Sequence, residues 1–97
     1  MNQLPYISIL IPVYNVEPYI GRCIQSVMAQ TYAGKMECII VDDRGSDNSI
    51  AIAEQLIKGY KCSIDFKIIH HEHNRGLAAA RNTAINAAKG EFVIHVD

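Results

Sequence analysis

The sequence has few of the residues that would place it at once in a specialised class of protein. Its 97 residues include no tryptophan and only three cysteines, and 9 basic residues nearly balance 10 acidic ones. A balanced charge provides no electrostatic footprint for nucleic acid and no basic patch for a membrane surface. No apolar run approaches the length of about 18 residues that suggests a membrane-spanning helix, so we expect no transmembrane segment in this chain.

The three cysteines are too few and too scattered to form a disulfide framework. Cys23, Cys38 and Cys62 lie within or beside apolar segments, and their spacing lacks the paired ligands of a zinc site. We therefore expect reduced, buried thiols in a cytoplasmic protein. The first residues contain neither a basic region nor a small-residue cleavage site, so we expect no secretory signal.

What the chain does contain is a regular alternation of two apolar patterns. Short, nearly continuous apolar runs predict strands that are buried on both faces, and apolar residues at 3–4 spacing predict helices. The predicted strands span 6–13, 36–43, 63–70 and 91–97. The predicted helices span 17–30, 48–59 and 74–89, with Ser46 or Asp47 as the cap of the second and Gly90 just after the third. This alternation implies right-handed crossovers and a parallel sheet covered on both faces.

Polar residues lie at or just after the carboxyl end of each predicted strand. They are Tyr14 and Asn15 at the first strand, Asp42 and Asp43 at the second, residues 73–76 at the third and Asp97 at the fourth. In a parallel sheet, ligands bind outside the carboxyl ends of the strands, where the strand order reverses. We therefore expect these residues to lie on one rim and to form a binding site.

The first strand–helix turn, PVYNVEP, limits the ligands that this rim can take. It has neither of the glycine-rich patterns that hold phosphates on a first helix. It offers instead the ring of Tyr14, and a ring beside the carboxylate of Asp43 predicts a pocket for a nucleotide base. Asp97 alone would hold Mg²⁺ or Mn²⁺ weakly, because these cations usually share their ligands with a substrate diphosphate.

Four segments carry a resemblance to a known family. They are ISILIPVYNVEPYIGRCIQSVMAQTY, IIVDDRGSDNS, NRGLAAARNTAI and GEFVIHVD. Together, in this order, they resemble the family-2 glycosyltransferases of the GT-A fold, over essentially the whole chain. The resemblance implies a Rossmann-like α/β half-domain with strand order 3-2-1-4 and three flanking helices. It also implies sugar transfer from a nucleoside diphosphate donor with inversion, and a divalent cation, Mg²⁺ or Mn²⁺, bound with the donor.

The resemblance implies roles for particular residues. Pro12, Val13, Tyr14 and Asn15 would line the base and ribose, with Glu17 facing the base pocket. Asp43 would hydrogen-bond the base, commonly uracil, and Arg81 of the A-R-N motif would lie near the diphosphate. Asp97 would be the first acid of the D-x-D motif, near the ribose and the metal. The sequence departs from the family pattern at Arg44 and Ala84, where glycine is usual.

The predicted domain is residues 1–97, a nucleotide-sugar-binding half that is truncated at the D-x-D motif. No catalytic residue is assigned, because the family's second acid, acceptor site and catalytic base would follow Asp97. We expect the fragment alone to be inactive. The expected partners of the full protein are a nucleotide-sugar donor and a saccharide or lipid-linked acceptor, with no nucleic acid. The expected location is the cytoplasm, with peripheral association at the inner face of the membrane left open.

Other classes of protein remain open at this stage. A non-catalytic nucleotide-binding module would share the base pocket but lack further acids after Asp97. A flavodoxin-like signalling domain would use Asp42 and Asp43 to bind Mg²⁺, although such domains usually carry their acid pair after the first strand. His71 and His73 could suggest zinc, but no cysteine or distant histidine completes a tetrahedral site, so a solvated loop is favoured.

Overall fold

The computed structural model describes residues 4–96, in which four strands alternate with three helices. The strands are β1 (Ile7–Val13), β2 (Met36–Asp42), β3 (Asp65–His70) and β4 (Phe92–His95). The helices are α1 (Glu17–Met28), α2 (Ser49–Gly59) and α3 (Leu77–Ala87). Neighbouring strands are parallel, and the sheet has the order β3-β2-β1-β4. The predicted α/β architecture and strand order are therefore confirmed.

The two central strands divide their side chains between two apolar cores, because successive residues in a strand point to opposite faces of the sheet. The core on one face includes Ile9, Ile11, Ile24, Ile40 and Ala53, from both central strands and from α1 and α2. The core on the other face consists of Leu10, Ile39, Val41, Ala80 and Ala84. The two alanines belong to α3, and their small side chains let this helix lie close to the sheet. All seven residues of β2 are buried.

The edge strand β4 departs from the prediction of a strand buried on both faces. It pairs with β1 alone among the described residues, and its four residues are exposed. Beside it lies an apolar cavity of about 740 Å³, whose walls include Ile7, Val27 and Ile94. Residues 4–96 contain no helix that is long and apolar enough to cross a membrane.

The boundaries of α3 differ from those predicted at both ends. The helix begins at Leu77 rather than Asn74, because the amides of the preceding residues point toward Asp43. It ends at Ala87, so the prediction that Gly90 directly follows the helix is wrong. Gly90 instead lies in the turn before β4, where a Cβ atom would come within 2.7 Å of the Ser8 amide nitrogen.

The prediction that the cysteines are buried is correct for one of the three residues. Cys38 is buried in β2, and burial raises the pKa of its thiol to about 12. Cys23 is half-buried and Cys62 is exposed in the loop before β3, so the expectation that all three are buried is wrong. All three are free thiols.

Candidate functional site

A cavity of about 370 Å³ opens at the carboxyl edge of the sheet. Its walls are formed by Pro12, Val13, Tyr14, Val16, Asp43, Asn74, Gly76, Leu77 and Ala80. Four residues predicted from the sequence meet there: Pro12, Val13, Tyr14 and Asp43. The register brings them together, because Val13 pairs with Asp42 and the Asp43 amide donates to the Val13 carbonyl oxygen at 3.0 Å. Tyr14 and Asp43 therefore leave the sheet side by side.

Asp43 is the most heavily hydrogen-bonded side chain at this edge. It is only 2% exposed. Its Oδ1 accepts from the Arg75 amide at 2.8 Å and contacts His71 Nδ1 at 2.8 Å. Its Oδ2 accepts from Asn74 Nδ2 and from the Gly76 amide, both at 2.9 Å. One carboxylate thus shapes the whole loop between β3 and α3.

These hydrogen bonds also decide the charge of Asp43. Burial alone favours the neutral acid, but the contacts with His71, Arg75 and Gly76 favour the charged form more strongly. The net effect lowers the pKa of Asp43 below its usual range, so the side chain is a carboxylate at neutral pH. Because a carboxylate can only accept, the proton between Asp43 and His71 lies on Nδ1.

Two adjacent acids, the last residue of β2 and the residue after it, face two adjacent histidines, the last residue of β3 and the residue after it. Asp42 pairs with His70 in the parallel register, and Asp42 Oδ2 lies 2.7 Å from His70 Nδ1. One residue further on, Asp43 contacts His71 in the same way. Two neighbouring carboxylates would repel each other, but each here has its own imidazole partner. The pairing explains how the buried end of β2 tolerates both acids.

Asn15 and Glu17 lie outside the walls of this cavity. Asn15 adopts a left-handed conformation with φ of 51°, and its Oδ1 accepts from the amides of Ser46 and Asp47 at 2.7 and 3.2 Å. Glu17 Oε1 accepts from the Asn48 amide at 2.9 Å. Both side chains hold the loop between β2 and α2 in place. The N-cap residue of α2 is Asn48, so the prediction of Ser46 or Asp47 as the cap is wrong, although Asp47 Oδ1 accepts from the Ser49 amide at 3.0 Å.

The remaining predicted residues bear on phosphate and metal. Arg81 is half-buried in α3, one turn beyond Leu77, and does not line the cavity. Asp97 lies outside the described residues. Within residues 4–96, no group of three or more histidine, cysteine or acidic side chains is arranged to hold a metal ion.

Several residues of the site escaped the sequence prediction. Asn74 and Gly76 fall in the rim segment that the sequence marks, but their contacts with Asp43 follow from the loop conformation. Gly76 has φ of 94°, a value that favours glycine, and this turns its amide toward the carboxylate. Nothing in the sequence distinguishes Leu77 and Ala80 from ordinary helix residues. They line the cavity because α3 lies close to the sheet.

The strand order, the three flanking helices and a cleft at the carboxyl ends of the strands define an α/β protein of the GT-A class. Comparison of the sequence with family patterns gives a more specific assignment. The pattern of the family described as Glycosyl transferase family 2 matches residues 8–97. The chain therefore belongs to glycosyl transferase family 2.

Similar proteins extend well beyond the length of this chain. The chain is 43% identical to the uncharacterized glycosyltransferase EpsJ of Bacillus subtilis (strain 168), over 98% of this chain and 26% of EpsJ. The crystal structure of S. aureus TarS in complex with UDP-GlcNAc matches 95% of this chain and 26% of its own, with 32% identity and a TM-score of 0.80. A mannosyltransferase from Pyrobaculum calidifontis, in complex with GDP-Man and Mn²⁺, matches 92% of this chain and 26% of its own, with 25% identity and a TM-score of 0.84. The chain thus spans about a quarter of each relative.

Proposed function

We propose that this chain is the donor-binding part of an inverting glycosyltransferase, and that its carboxyl-edge cavity holds the base of a nucleoside diphosphate sugar. The observation that carries this proposal is the convergence of an exposed ring, Tyr14, and a buried carboxylate, Asp43, on one cavity. A ring supplies stacking, and a charged acceptor supplies selection for a base that carries an N–H group.

The walls of the cavity suit a planar base. Tyr14 is 51% exposed, so its ring is available without rearrangement of the core. Stacking of a base on an aromatic ring contributes about 1–3 kcal/mol. An N–H of the base would join or replace one of the four hydrogen bonds that Asp43 already accepts. We favour uridine diphosphate as the nucleotide, and the complex of TarS with UDP-GlcNAc supports this choice.

The remaining roles follow the family pattern. Arg81 is proposed to contact the diphosphate, and Asp97 the ribose and a divalent cation. A bound Mg²⁺ or Mn²⁺ would neutralise charge on the leaving diphosphate, and the complex of the mannosyltransferase with Mn²⁺ supports this role. The acceptor, a saccharide or a lipid-linked saccharide, would attack the anomeric carbon after a base deprotonates its hydroxyl group. None of residues 4–96 is assigned as that base, so the 97 residues alone are proposed to bind the donor without transferring sugar.

Calorimetric titration of the full-length protein with UDP and Mn²⁺ tests this proposal. Tyr14→Ala is expected to weaken UDP binding about 10-fold, because it removes the stacking surface. The matched control is Tyr19→Ala, which removes a tyrosine that is 72% exposed on α1 and does not line this cavity. A wild-type protein that binds no UDP would overturn the proposal, and tighter binding of GDP than of UDP would overturn the choice of base.

A further inference from the structure

His71 is the most buried histidine of the described residues, with 6% of its surface exposed. It does not line the carboxyl-edge cavity. Both of its ring nitrogens are nevertheless engaged, Nδ1 with Asp43 Oδ1 at 2.8 Å and Nε2 with Thr83 Oγ1 at 2.7 Å. The ring therefore joins the acid at the end of β2 to the middle of α3.

This connection holds the Asp43 carboxylate, the loop between β3 and α3, and α3 itself in place relative to one another. The Asp43 carboxylate cannot rotate freely, because its other contacts are to Asn74 and to the amides of Arg75 and Gly76. The helix that carries Thr83 also carries Leu77 and Ala80, which form part of the cavity wall. A change at His71 would thus free both the carboxylate and the position of this helix relative to it.

The donors and acceptors match in both contacts of the ring, that with Asp43 and that with Thr83. The Asp43 carboxylate requires the proton on His71 Nδ1, which leaves Nε2 as the acceptor in the neutral ring. The Thr83 hydroxyl group can donate to that nitrogen. If the ring gains a second proton, the same hydroxyl group can accept from it. The ring orientation is held in either state.

We infer that His71 is a positioning residue for nucleotide binding, which acts through Asp43 without touching the nucleotide. This inference rests on the proposed function, since it names a residue that supports the proposed base pocket. His70 provides an internal comparison, because it makes the same contact with Asp42, but its side chain is 44% exposed and Asp42, unlike Asp43, does not line the cavity.

The test is calorimetric titration of UDP into full-length variants that are first checked for folding by circular dichroism. His71→Ala is expected to weaken binding about 10-fold, because the buried carboxylate of Asp43 loses one of its hydrogen-bond donors. His70→Ala, the matched control, is expected to bind like the wild type. His71→Asn retains an N–H close to the position of Nδ1 and is expected to recover most of the affinity.

A double-mutant cycle separates positioning from general damage to the fold. If His71 acts through Asp43, the losses caused by His71→Ala and Asp43→Asn are expected to be smaller in combination than their sum. If His71→Ala does not fold, His71→Asn and Thr83→Val carry the test, with Thr83→Val expected to weaken binding about 3-fold by freeing the ring.

Three results would count against the inference, in different ways. A wild-type protein that binds no UDP would overturn the proposed function and the inference with it. A wild-type protein that binds UDP, with folded His71→Ala and Thr83→Val variants that bind equally well, would overturn the inference alone. Additive losses in the cycle would also overturn it.

Discussion

Two buried carboxylates of the same segment have different surroundings. Glu37 lies near the start of β2 and is 0% exposed, whereas Asp43 directly follows the end of β2 and is 2% exposed. Glu37 accepts from Ser8 Oγ, from Lys67 Nζ at 3.0 Å and from the Lys89 amide at 2.7 Å. Asp43 also accepts several hydrogen bonds, but only Asp43 of the two borders the carboxyl-edge cavity.

Burial and charge alone therefore do not identify a binding residue. Burial favours the neutral form of Glu37, but its hydrogen bonds to Lys89, Ser8 and Lys67 prevail and lower its pKa to about 2. The pKa of Asp43 is lowered for the same kind of reason. What distinguishes Asp43 is its place at the carboxyl ends of parallel strands, beside a cavity and an exposed ring. We therefore propose a structural role for Glu37 and a role in binding for Asp43.

The largest expected effect is that of Glu37→Ala on stability. The change leaves the Lys67 ammonium, the Ser8 hydroxyl group and the Lys89 amide without their common acceptor. We expect the free energy of unfolding to fall by about 3 kcal/mol, measured by urea denaturation. The fraction that stays folded is expected to bind UDP with wild-type affinity. A large loss of affinity in folded protein would remove the distinction between the two acids.

Protonation of Glu37 at low pH is expected to reduce stability less than Glu37→Ala does, because the side chain remains in place. The pKa of Glu37 falls from 4.5 to about 2 on folding, so the unfolded chain takes up the proton first. This contribution to stability is complete above about pH 4.5 and is lost as the pH falls toward 2. Urea denaturation between pH 6 and 2 is expected to show this loss, and Glu37→Gln is expected to reduce it. An unchanged slope in Glu37→Gln would contradict the assignment.

Gly90→Ala tests the structural role of the region around Glu37, because Gly90 follows Lys89, whose amide donates to Glu37. A Cβ atom would lie 2.7 Å from the Ser8 amide nitrogen and 2.8 Å from the Tyr6 carbonyl oxygen. We expect a loss of about 2 kcal/mol in the free energy of unfolding, because neither backbone atom can move without disturbing β1. The matched control is Gly59→Ala, where nothing lies within 4 Å of the added atom. Equal stability of the two variants would contradict this account of the turn.

Asp43→Asn is expected to have the smallest effect on stability and a clear effect on binding. The amide keeps the shape of the side chain. Its NH₂ group, however, is a donor at a position where the wild-type carboxylate oxygen accepts N–H groups. We expect a stability loss of about 1 kcal/mol and UDP binding at least about 10-fold weaker. Asp65→Asn is a suitable control, because Asp65 is exposed at the start of β3, away from the cavity. Unchanged UDP binding by Asp43→Asn would argue against its role.

Much of the fold could be predicted from the sequence because the relevant signals are local. Continuous apolar runs marked the strands, and the rule that parallel strands end together predicted that Tyr14 and Asp43 would meet. The pairing of Asp42 with His70 and of Asp43 with His71 could not be predicted, because it depends on the register between β2 and β3. The contacts of Asn15 and Glu17 with the next loop likewise depend on how two loops pack.

We propose that the nucleotide binds at the carboxyl edge of the sheet. The most direct measurement is an NMR titration of the isotope-labelled full-length protein with UDP and Mg²⁺. It follows backbone amide shifts at the two opposite edges of the sheet, where the strands begin and where they end. We expect the largest shifts at Tyr14, Asp43 and Gly76, with little change at Ser8, Lys89 and Gly90. Shifts confined to Ser8, Lys89 and Gly90 would mean that the nucleotide binds elsewhere.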